Sequence, residues 1–288
     1  MIVVAADKGS PGATVSALAL ASSWPEAATL VEADPWGADL PLRVRRHGEV
    51  LADRETVLSL ATAATARDPD GRVHDGRDLV DRYAQDLSVR VRVVPGPVAA
   101  ERAVAVPSWK ALASVLAGSD RRVIADLGRL HVSSPSMSLA AAADVVVLVC
   151  RGEVESVVRL RERVTALVPA LAEARGEAPR VVPVVITSRR HGAGDAADVH
   201  AAVHVTAAGP FVSTVGWLAW DPGAVDALYR GEDPAGRSLS KTALMKSAVE
   251  LADLLDEVAG HDEDPPLAEA GAPSEVPRWA DAVKGSGS

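Results

Sequence analysis

Cysteine and aromatic residues are scarce in this sequence, which limits both its redox chemistry and the make-up of its core. The 288 residues include one Cys, one Phe and two Tyr, and aromatic residues are 3% of the chain. The single cysteine, Cys150, excludes an intramolecular disulfide framework and predicts a reducing, cytoplasmic location. Because Cys150 follows an apolar run over 145–149, we interpret it as a small core residue and not as a nucleophile.

Long apolar runs are also missing. No segment approaches the roughly 20 apolar residues of a membrane-spanning helix, so we expect no transmembrane segment. The N-terminal apolar run is short and has no basic region before it, unlike a secretory signal. We interpret it as a first strand.

Positive charge is in deficit, with a formal net charge of −9. Contact with nucleic-acid phosphates relies on clustered Lys and Arg, so DNA is not the partner we expect. Two basic runs, one at Arg43, Arg45 and Arg46 and one at Arg189 and Arg190, are either solvated surface or local binding patches. The seven His residues are scattered, and no Cys or carboxylate pattern completes a zinc site.

Short Val-rich runs alternate with longer amphipathic runs that are rich in Ala and Leu. This alternation predicts an α/β domain over 1–259, a three-layer doubly wound fold with a mainly parallel sheet. Strands are predicted over 2–6, 29–33, 89–94, 122–127, 145–150, 181–187 and 212–218. Helices are predicted over 14–22, 50–66, 108–116, 138–143, 154–171 and 241–258.

The composition changes at 260, after which Pro, Ala and acidic residues dominate. Such a segment buries too little apolar surface to offset its ordering entropy, so we predict a disordered tail over 260–288. Within it, residues 276–283 around Trp279 are either a short docking motif or part of an unstructured chain.

The most informative stretch lies between the first predicted strand and the first predicted helix. It reads Asp7-Lys8-Gly9-Ser10-Pro11-Gly12-Ala13-Thr14. A P-loop has the pattern G-x-x-x-x-G-K-S/T here: its amides point at phosphates, its Lys reaches the outer phosphates and its hydroxyl holds magnesium. Gly12 and Thr14 fit this pattern, whereas Asp7 replaces the first Gly and Ala13 replaces the Lys. By itself the match is weak, because Gly/Ser/Pro loops are common turns.

Further segments, in the same order along the chain, make the sequence similar to the MinD/ParA family of deviant Walker ATPases. That family writes its loop K-G-G-x-G-K-S/T, and residues 8–14 align with it, keeping the signature lysine as Lys8 and losing the second lysine at Ala13. The other matching segments are 30–37 (the family's D-x-D-P-x-G), 122–128 (the Walker B strand), 143–149 with Glu155-Ser156, 184–187, and 215–221 (G-x-I/L-P-x-D).

The resemblance spans about residues 1–258 and implies a P-loop NTPase architecture of the SIMIBI/MinD type, a homodimer, and ATP or ADP with magnesium as ligands. The nucleotide-binding positions that it implies are Lys8, Gly9, Ser10, Gly12, Ala13 and Thr14. Thr14 and Asp126 would hold magnesium if nucleotide binds. Asp34 would be the switch aspartate that helps to place the attacking water, and Lys8 would reach the partner subunit.

Each of these residues also has a plainer interpretation. Lys8 could be an ordinary loop lysine, Asp34 an Asx-turn residue before Pro35, and Asp126 a cap for the turn at Gly128. Two departures from the family pattern stand beside them: Glu32 replaces the first Asp of D-x-D-P, and Thr187 replaces an Asn that reads adenine. The segment 91–97 also resembles the pilus-assembly branch, called CpaE or TadZ.

Ala13 removes a charge on which phosphoryl transfer depends, and Asp7 adds an opposing one. We therefore expect ATP hydrolysis to be absent or very weak. One hypothesis is a positioning, assembly or regulatory factor that works with protein partners of a membrane-linked pilus or secretion machine. The alternative is an active ATP-dependent dimerisation switch in partitioning or localisation, with Lys8 in place of the lost lysine. A DNA-linked partition protein is the least expected, and binding no cofactor at all is also left open.

Overall fold

The computed structural model describes residues 1–7, 12–46, 48–53, 55–66, 76–177 and 179–260, with the side chains of 76–78 excepted. The strands of this part of the chain form one sheet: β1 Ile2–Ala6, β2 Ala28–Glu32, β3 Gln85–Asp86, β4 Val91–Val94, β5 Arg122–Arg129, β6 Val145–Arg151, β7 Val181–Thr187 and β8 Gly216–Ala219. Their spatial order is β3-β4-β2-β5-β1-β6-β7-β8. Neighbouring strands are parallel except for the pair β3–β4.

Helices cover both faces of the sheet. They are α1 Ala13–Ser23, α2 Leu40–Arg43, α3 Val57–Thr65, α4 Gly76–Tyr83, α5 Ala100–Ala103, α6 Trp109–Ala117, α7 Met137–Ala141, α8 Val154–Arg175, α9 Gly192–His204, α10 Pro222–Tyr229 and α11 Ala243–Gly260. Short 3₁₀ turns lie at Gly209–Phe211 and Leu239–Lys241. None of the helices among the described residues is long and apolar enough to cross a membrane.

The core consists of two apolar layers, one on each side of the sheet. In β1, Val3 and Ala5 pack with α3, α4, α6, α7, α8 and α9, whereas Ile2, Val4 and Ala6 pack with α1, α10 and α11. All five residues of β1 are buried, as expected for a parallel strand that is covered on both faces. The predicted three-layer, doubly wound, mainly parallel α/β fold is confirmed.

Several predicted boundaries were wrong for local reasons. The helix predicted over 50–66 begins only at Val57, because Thr56 is extended and forms a reciprocal capping box with Ser59. The residues before Val57 contact β3 instead. The Ala52 N–H donates to Gln85 Oε1, and Gln85 Nε2 donates to the Ala52 carbonyl oxygen. The strand predicted over 212–218 is shorter and begins at Gly216.

Five helices were not predicted: α2, α4, α5, α9 and α10. Helix α9 begins with Gly-Ala-Gly-Asp, which has low helix propensity. Helix α10 does carry a start signal that could have been used, since Pro222 follows Asp221 and the Asp221 carboxylate accepts a hydrogen bond from the Ala224 N–H at 3.2 Å. Ser108 caps the start of α6, because its hydroxyl oxygen accepts from the Ala111 N–H at 3.1 Å.

Candidate functional site

The carboxyl ends of β2, β5 and β1 lie side by side and bring three acidic residues to one edge of the sheet. In the register, Glu32 pairs with Asp126, and Asp126 pairs with Val4 of β1. Asp34 follows β2 by two residues. These three residues are far apart in sequence, and parallel pairing alone brings them together at the edge where ligands bind in doubly wound sheets.

Helix α1 begins at this edge and offers its N-terminus to it. Gly12 precedes the helix in a left-handed conformation, with φ of 106°, which favours glycine. A Cβ at Gly12 would also lie 3.0 Å from Cδ1 of Ile186. No side chain of the described residues caps the N-terminus of α1, so its first N–H groups can face an anion.

Ala13 is the first residue of α1, and it is buried in the apolar layer that contains α1 and α11. Its methyl group contributes packing and no charge. Position 13 therefore brings no cation to the start of α1. Thr14 follows on the same turn, next to the end of β5.

Asp126 is completely buried at the end of β5. Its Oδ1 accepts a hydrogen bond from the Gly128 N–H at 2.9 Å, and its Oδ2 is buried without a hydrogen-bond partner among the described residues. Burial raises the pKa of Asp126 to about 6, and the neighbouring Thr14 hydroxyl and the Gly128 N–H lower it. A buried, unpartnered carboxylate oxygen beside a hydroxyl fits a site for a hard cation such as magnesium.

Asp34 lies beside Gly128, near the end of β5. Its Oδ1 accepts from the Trp36 N–H at 2.8 Å, which is the Asx-turn contact that the sequence left open as an alternative. Its carboxyl also packs on Gly128, where a Cβ would come within 1.9 Å of Asp34 Oδ2. Burial raises the pKa of Asp34 to about 7, and repulsion from Asp126 and Asp39 adds to the rise.

Glu32 has a role that the sequence did not reveal. Its Oε1 accepts from the N–H groups of Asp39 and Leu40 at 2.8 and 2.9 Å, and its Oε2 accepts from the Gly96 N–H at 3.2 Å. It therefore ties the end of β2 to the start of α2 and to the turn after β4. Burial raises the pKa of Glu32 to about 8, and repulsion from Asp126 contributes. The sequence signal that could have pointed to this role is an acidic residue in the otherwise uncharged strand β2.

Asp7 has a charge partner that the sequence did not reveal. It lies directly after β1, and the Nε of Arg163 on α8 donates to its Oδ1 at 2.6 Å. The Nη2 of Arg163 contacts the same oxygen. No P-loop pattern includes a residue of the helix after β6, so sequence reasoning had no signal for this pair.

The far side of the edge, at β6 to β8, carries a polar and aromatic surface. The Thr187 hydroxyl donates to the Asp195 carboxylate. The guanidinium of Arg151 lies 4.1 Å from the ring centroid of Trp220, and the Trp220 side chain is exposed. Cys150 is buried beneath this surface and burial raises its pKa to about 12, which agrees with its interpretation as a core residue.

Several residues named in the sequence analysis lie outside the described ranges or away from the candidate site. Lys8, Gly9, Ser10 and the tail from 261 onwards lie outside the described residues. Gly260, which the sequence assigned to the tail, is the last residue of α11. In the first basic run, Arg43 pairs with Asp39 and Arg46 pairs with Asp86.

A zinc-like cluster is absent from the ranges that the structure describes, where no three His, Cys, Asp or Glu residues are grouped to hold a metal. The rings of His200 and His204 stack at 5.5 Å. A magnesium ion at Asp126 would therefore take its other oxygen ligands from Thr14, from a nucleotide and from water, as this ion usually does.

No protein-family profile and no curated protein matches the sequence. Solved structures do match the fold. A ParA family ATPase from Chlorobium tepidum superposes with a TM-score of 0.62 at 15% identity, over 87% of this chain and 97% of that chain. MinD from Pyrococcus furiosus gives a TM-score of 0.61 at 15% identity, over 89% and 98%.

A third neighbour is the ATP complex of a Cyanothece McdA variant, with a TM-score of 0.59 at 15% identity, over 91% of this chain and 97% of that chain. Each of the three neighbours is covered almost completely. At this level of identity the likeness concerns the fold, an eight-stranded and mainly parallel sheet with flanking helices. The chain therefore has the fold of the MinD/ParA-type P-loop ATPases.

Proposed function

We propose that this protein binds ATP or ADP with magnesium at the carboxyl edge of the sheet and hydrolyses ATP very weakly or not at all. The observation that carries the proposal is the contrast between Asp126 and Ala13. Among the described residues, Asp126 keeps a buried oxygen without a hydrogen-bond partner beside Thr14, which suits a magnesium ion. The helix next to it begins with a methyl group where a catalytic lysine would stand.

Most of the residues present fit such a ligand, but the lysine that would neutralise its charge is missing. The uncapped N-terminus of α1 favours the phosphate chain. Thr14 and Asp126 would hold magnesium, which neutralises the phosphate charge when it is bound. Asp34, whose carboxylate accepts from the Trp36 N–H, would orient a water molecule. The missing lysine takes away transition-state charge stabilisation, and therefore slows transfer more than it weakens binding.

In the cell, we propose that the protein works as a positioning, assembly or regulatory factor for a membrane-linked machine of the pilus or secretion type. It would act in the cytoplasm as a homodimer with protein partners that recruit it to the membrane. Support comes from the MinD/ParA fold, from the segment 91–97 and from the lysine replaced by Ala13. The tail from 261 onwards would supply a partner contact through the segment around Trp279.

The test is ATP turnover by the purified full chain, measured as phosphate release with magnesium. We expect a rate indistinguishable from that of Asp34→Ala, because the step that Asp34 serves is already blocked. A clear rate for the wild type that Asp34→Ala abolishes would show an active ATPase and would overturn the proposal.

A second candidate, an ATP-dependent dimerisation switch, is favoured by the position of Asp34. Its carboxyl is tied to the Trp36 N–H and packs on the turn after β5, where it can respond to an occupied magnesium site. Light scattering with and without MgATP separates the two candidates. Dimers that form only with MgATP, and that are lost in Lys8→Ala, would favour the switch.

A further inference from the structure

The start of the β1–α1 connection has a charge partner from another part of the fold. Arg163 lies in the middle of α8, on the side of the sheet opposite to α1. Its guanidinium reaches Asp7 through Nε, at 2.6 Å, and through Nη2. The two side chains are only 21% and 20% exposed. This is a partly buried, charge-assisted hydrogen bond and not a solvated surface contact.

The pair lies at the edge of the sheet where positive charge is needed most. Asp7 follows β1 directly, and Gly12 and Ala13 begin α1 at the same edge. The neighbouring strand β5 contributes the carboxyl of Asp126, so Asp7 and Asp126 are the acids at this point of the edge. An anion that approaches the helix start would meet these acids and no lysine at position 13, so a guanidinium at Asp7 changes the local balance of charge.

We propose that Arg163 is a cation that serves an anion bound at the start of α1, in place of the lysine replaced by Ala13. Asp7 holds the guanidinium there and competes for it with the bound anion. The inference rests on the proposed function, because the anion is taken to be the phosphate chain of a nucleotide. A guanidinium has five N–H donors in a planar fork, so contact through two nitrogens leaves donors for a second anion.

Arg163 is in this view a positioning and charge-compensating residue. A different role for the same pair would be a purely structural tie between β1 and α8. The two roles predict opposite effects of Asp7→Asn, a change that keeps the shape of the side chain. If Asp7 competes with the anion, its neutralisation strengthens anion binding. If the pair is a structural tie, its loss weakens anion binding.

The experiment measures binding of inorganic pyrophosphate and of MgATP to the full chain by calorimetry, in Asp7→Asn, Arg163→Gln and the double variant. We expect Asp7→Asn to bind pyrophosphate about tenfold more tightly and Arg163→Gln to bind it about tenfold more weakly than the wild type. The double variant should fall between the two single variants. The matched control is Arg161→Gln, which removes an arginine from another face of α8, where Arg161 pairs with Glu162.

Other results would overturn the inference. It fails if Asp7→Asn weakens binding as much as Arg163→Gln does, or if Asp7→Asn and the double variant bind pyrophosphate equally, including not at all. If the variants match a wild type that binds MgATP, the inference fails while the proposed function stands. If the wild type binds no MgATP but Asp7→Asn binds pyrophosphate through Arg163, the proposed function fails while the inference stands. Far-UV circular dichroism checks that Arg163→Gln folds. If Arg163→Gln does not fold, the pyrophosphate affinity of Asp7→Asn relative to the wild type decides between the two roles of the pair.

Discussion

The two halves of the candidate site are built differently. On the β2–β5 side, Asp126 and Asp34 are buried carboxyls held by the backbone, at the N–H groups of Gly128 and Trp36. On the β1–α1 side, Ala13 brings no charge, and Asp7 is paired with an arginine from α8. The comparison teaches that the half proposed to bind metal and the half proposed to neutralise phosphate depend on separate elements, so one can be kept while the other changes.

The largest effect that we predict concerns the turn that supports the β2–β5 half. Gly128 has φ of 58°, and a Cβ there would lie 1.9 Å from Asp34 Oδ2. Gly128→Ala should therefore lower the free energy of unfolding by about 3 kcal/mol, from backbone strain together with the steric clash. Urea unfolding followed by circular dichroism measures this loss.

The matched control is Gly176→Ala at the end of α8. Gly176 also has a positive φ, of 78°, but a Cβ there would meet nothing within 4 Å. Its cost should be the backbone strain alone, about 1 kcal/mol. Equal losses in the two variants would mean that the contact between Asp34 and Gly128 contributes nothing.

A second prediction restores charge to the β1–α1 half. Ala13→Lys places an ammonium group at the start of α1, and it should tighten MgATP binding at least about tenfold, which is about 1.4 kcal/mol. Ala13→Met is the control, because it adds similar length without charge and should leave the affinity unchanged. Titration calorimetry of the two variants provides the comparison. If Ala13→Lys folds but binds MgATP no more tightly than the wild type, the idea that the β1–α1 half lacks only positive charge is contradicted.

The third prediction concerns pH. The pKa values of Glu32, Asp34 and Asp126 are raised to about 8, 7 and 6 from ordinary values of 4.5, 3.8 and 3.8. The folded state therefore binds more protons than the unfolded state over this range, and these groups stabilise the fold most at low pH. Their contribution should be lost progressively as the pH rises from about 4 to about 8.

The measurement is the urea midpoint of the nucleotide-free protein across that pH range. Asp34→Asn should flatten the fall in stability between about pH 4 and pH 7, because it removes one of the three titrating carboxyls. Asp253→Asn, on an exposed position of α11, is the control and should leave the slope as it is. A stability that rises with pH in the wild type would mean that the three carboxyls are not held in the buried cluster.

Much of the fold could be predicted from the sequence, because buried parallel strands have a plain pattern. The Val-rich runs at β1, β6 and β7 gave those strands nearly to the residue. Helix α9 was missed because its Gly- and Ala-rich start carries little propensity, and tertiary packing of Val199 and Val203 stabilises it instead. The start of α3 depends on a side-chain cap, which competes with a longer apolar pattern.

The candidate site could be predicted where its chemistry is local in sequence. Gly12, Thr14 and Asp34 follow strands, and Asp126 lies within β5; these strands are neighbours in the sheet. The pairing of Asp7 with Arg163 could not be predicted, because it joins residues that are 156 positions apart. The three amide contacts of Glu32 also depend on turns whose paths the sequence does not specify.

The measurement that tests the central claim most directly is calorimetric titration of the full chain with MgATP, in the wild type and in Asp126→Asn. Asparagine keeps the contact with the Gly128 N–H and removes the charge that would bind magnesium. We predict micromolar binding by the wild type and an affinity at least about tenfold lower in Asp126→Asn, with both proteins folded. No binding by the wild type up to millimolar MgATP, or equal binding by the two proteins, would contradict the assignment of this edge as a magnesium–nucleotide site.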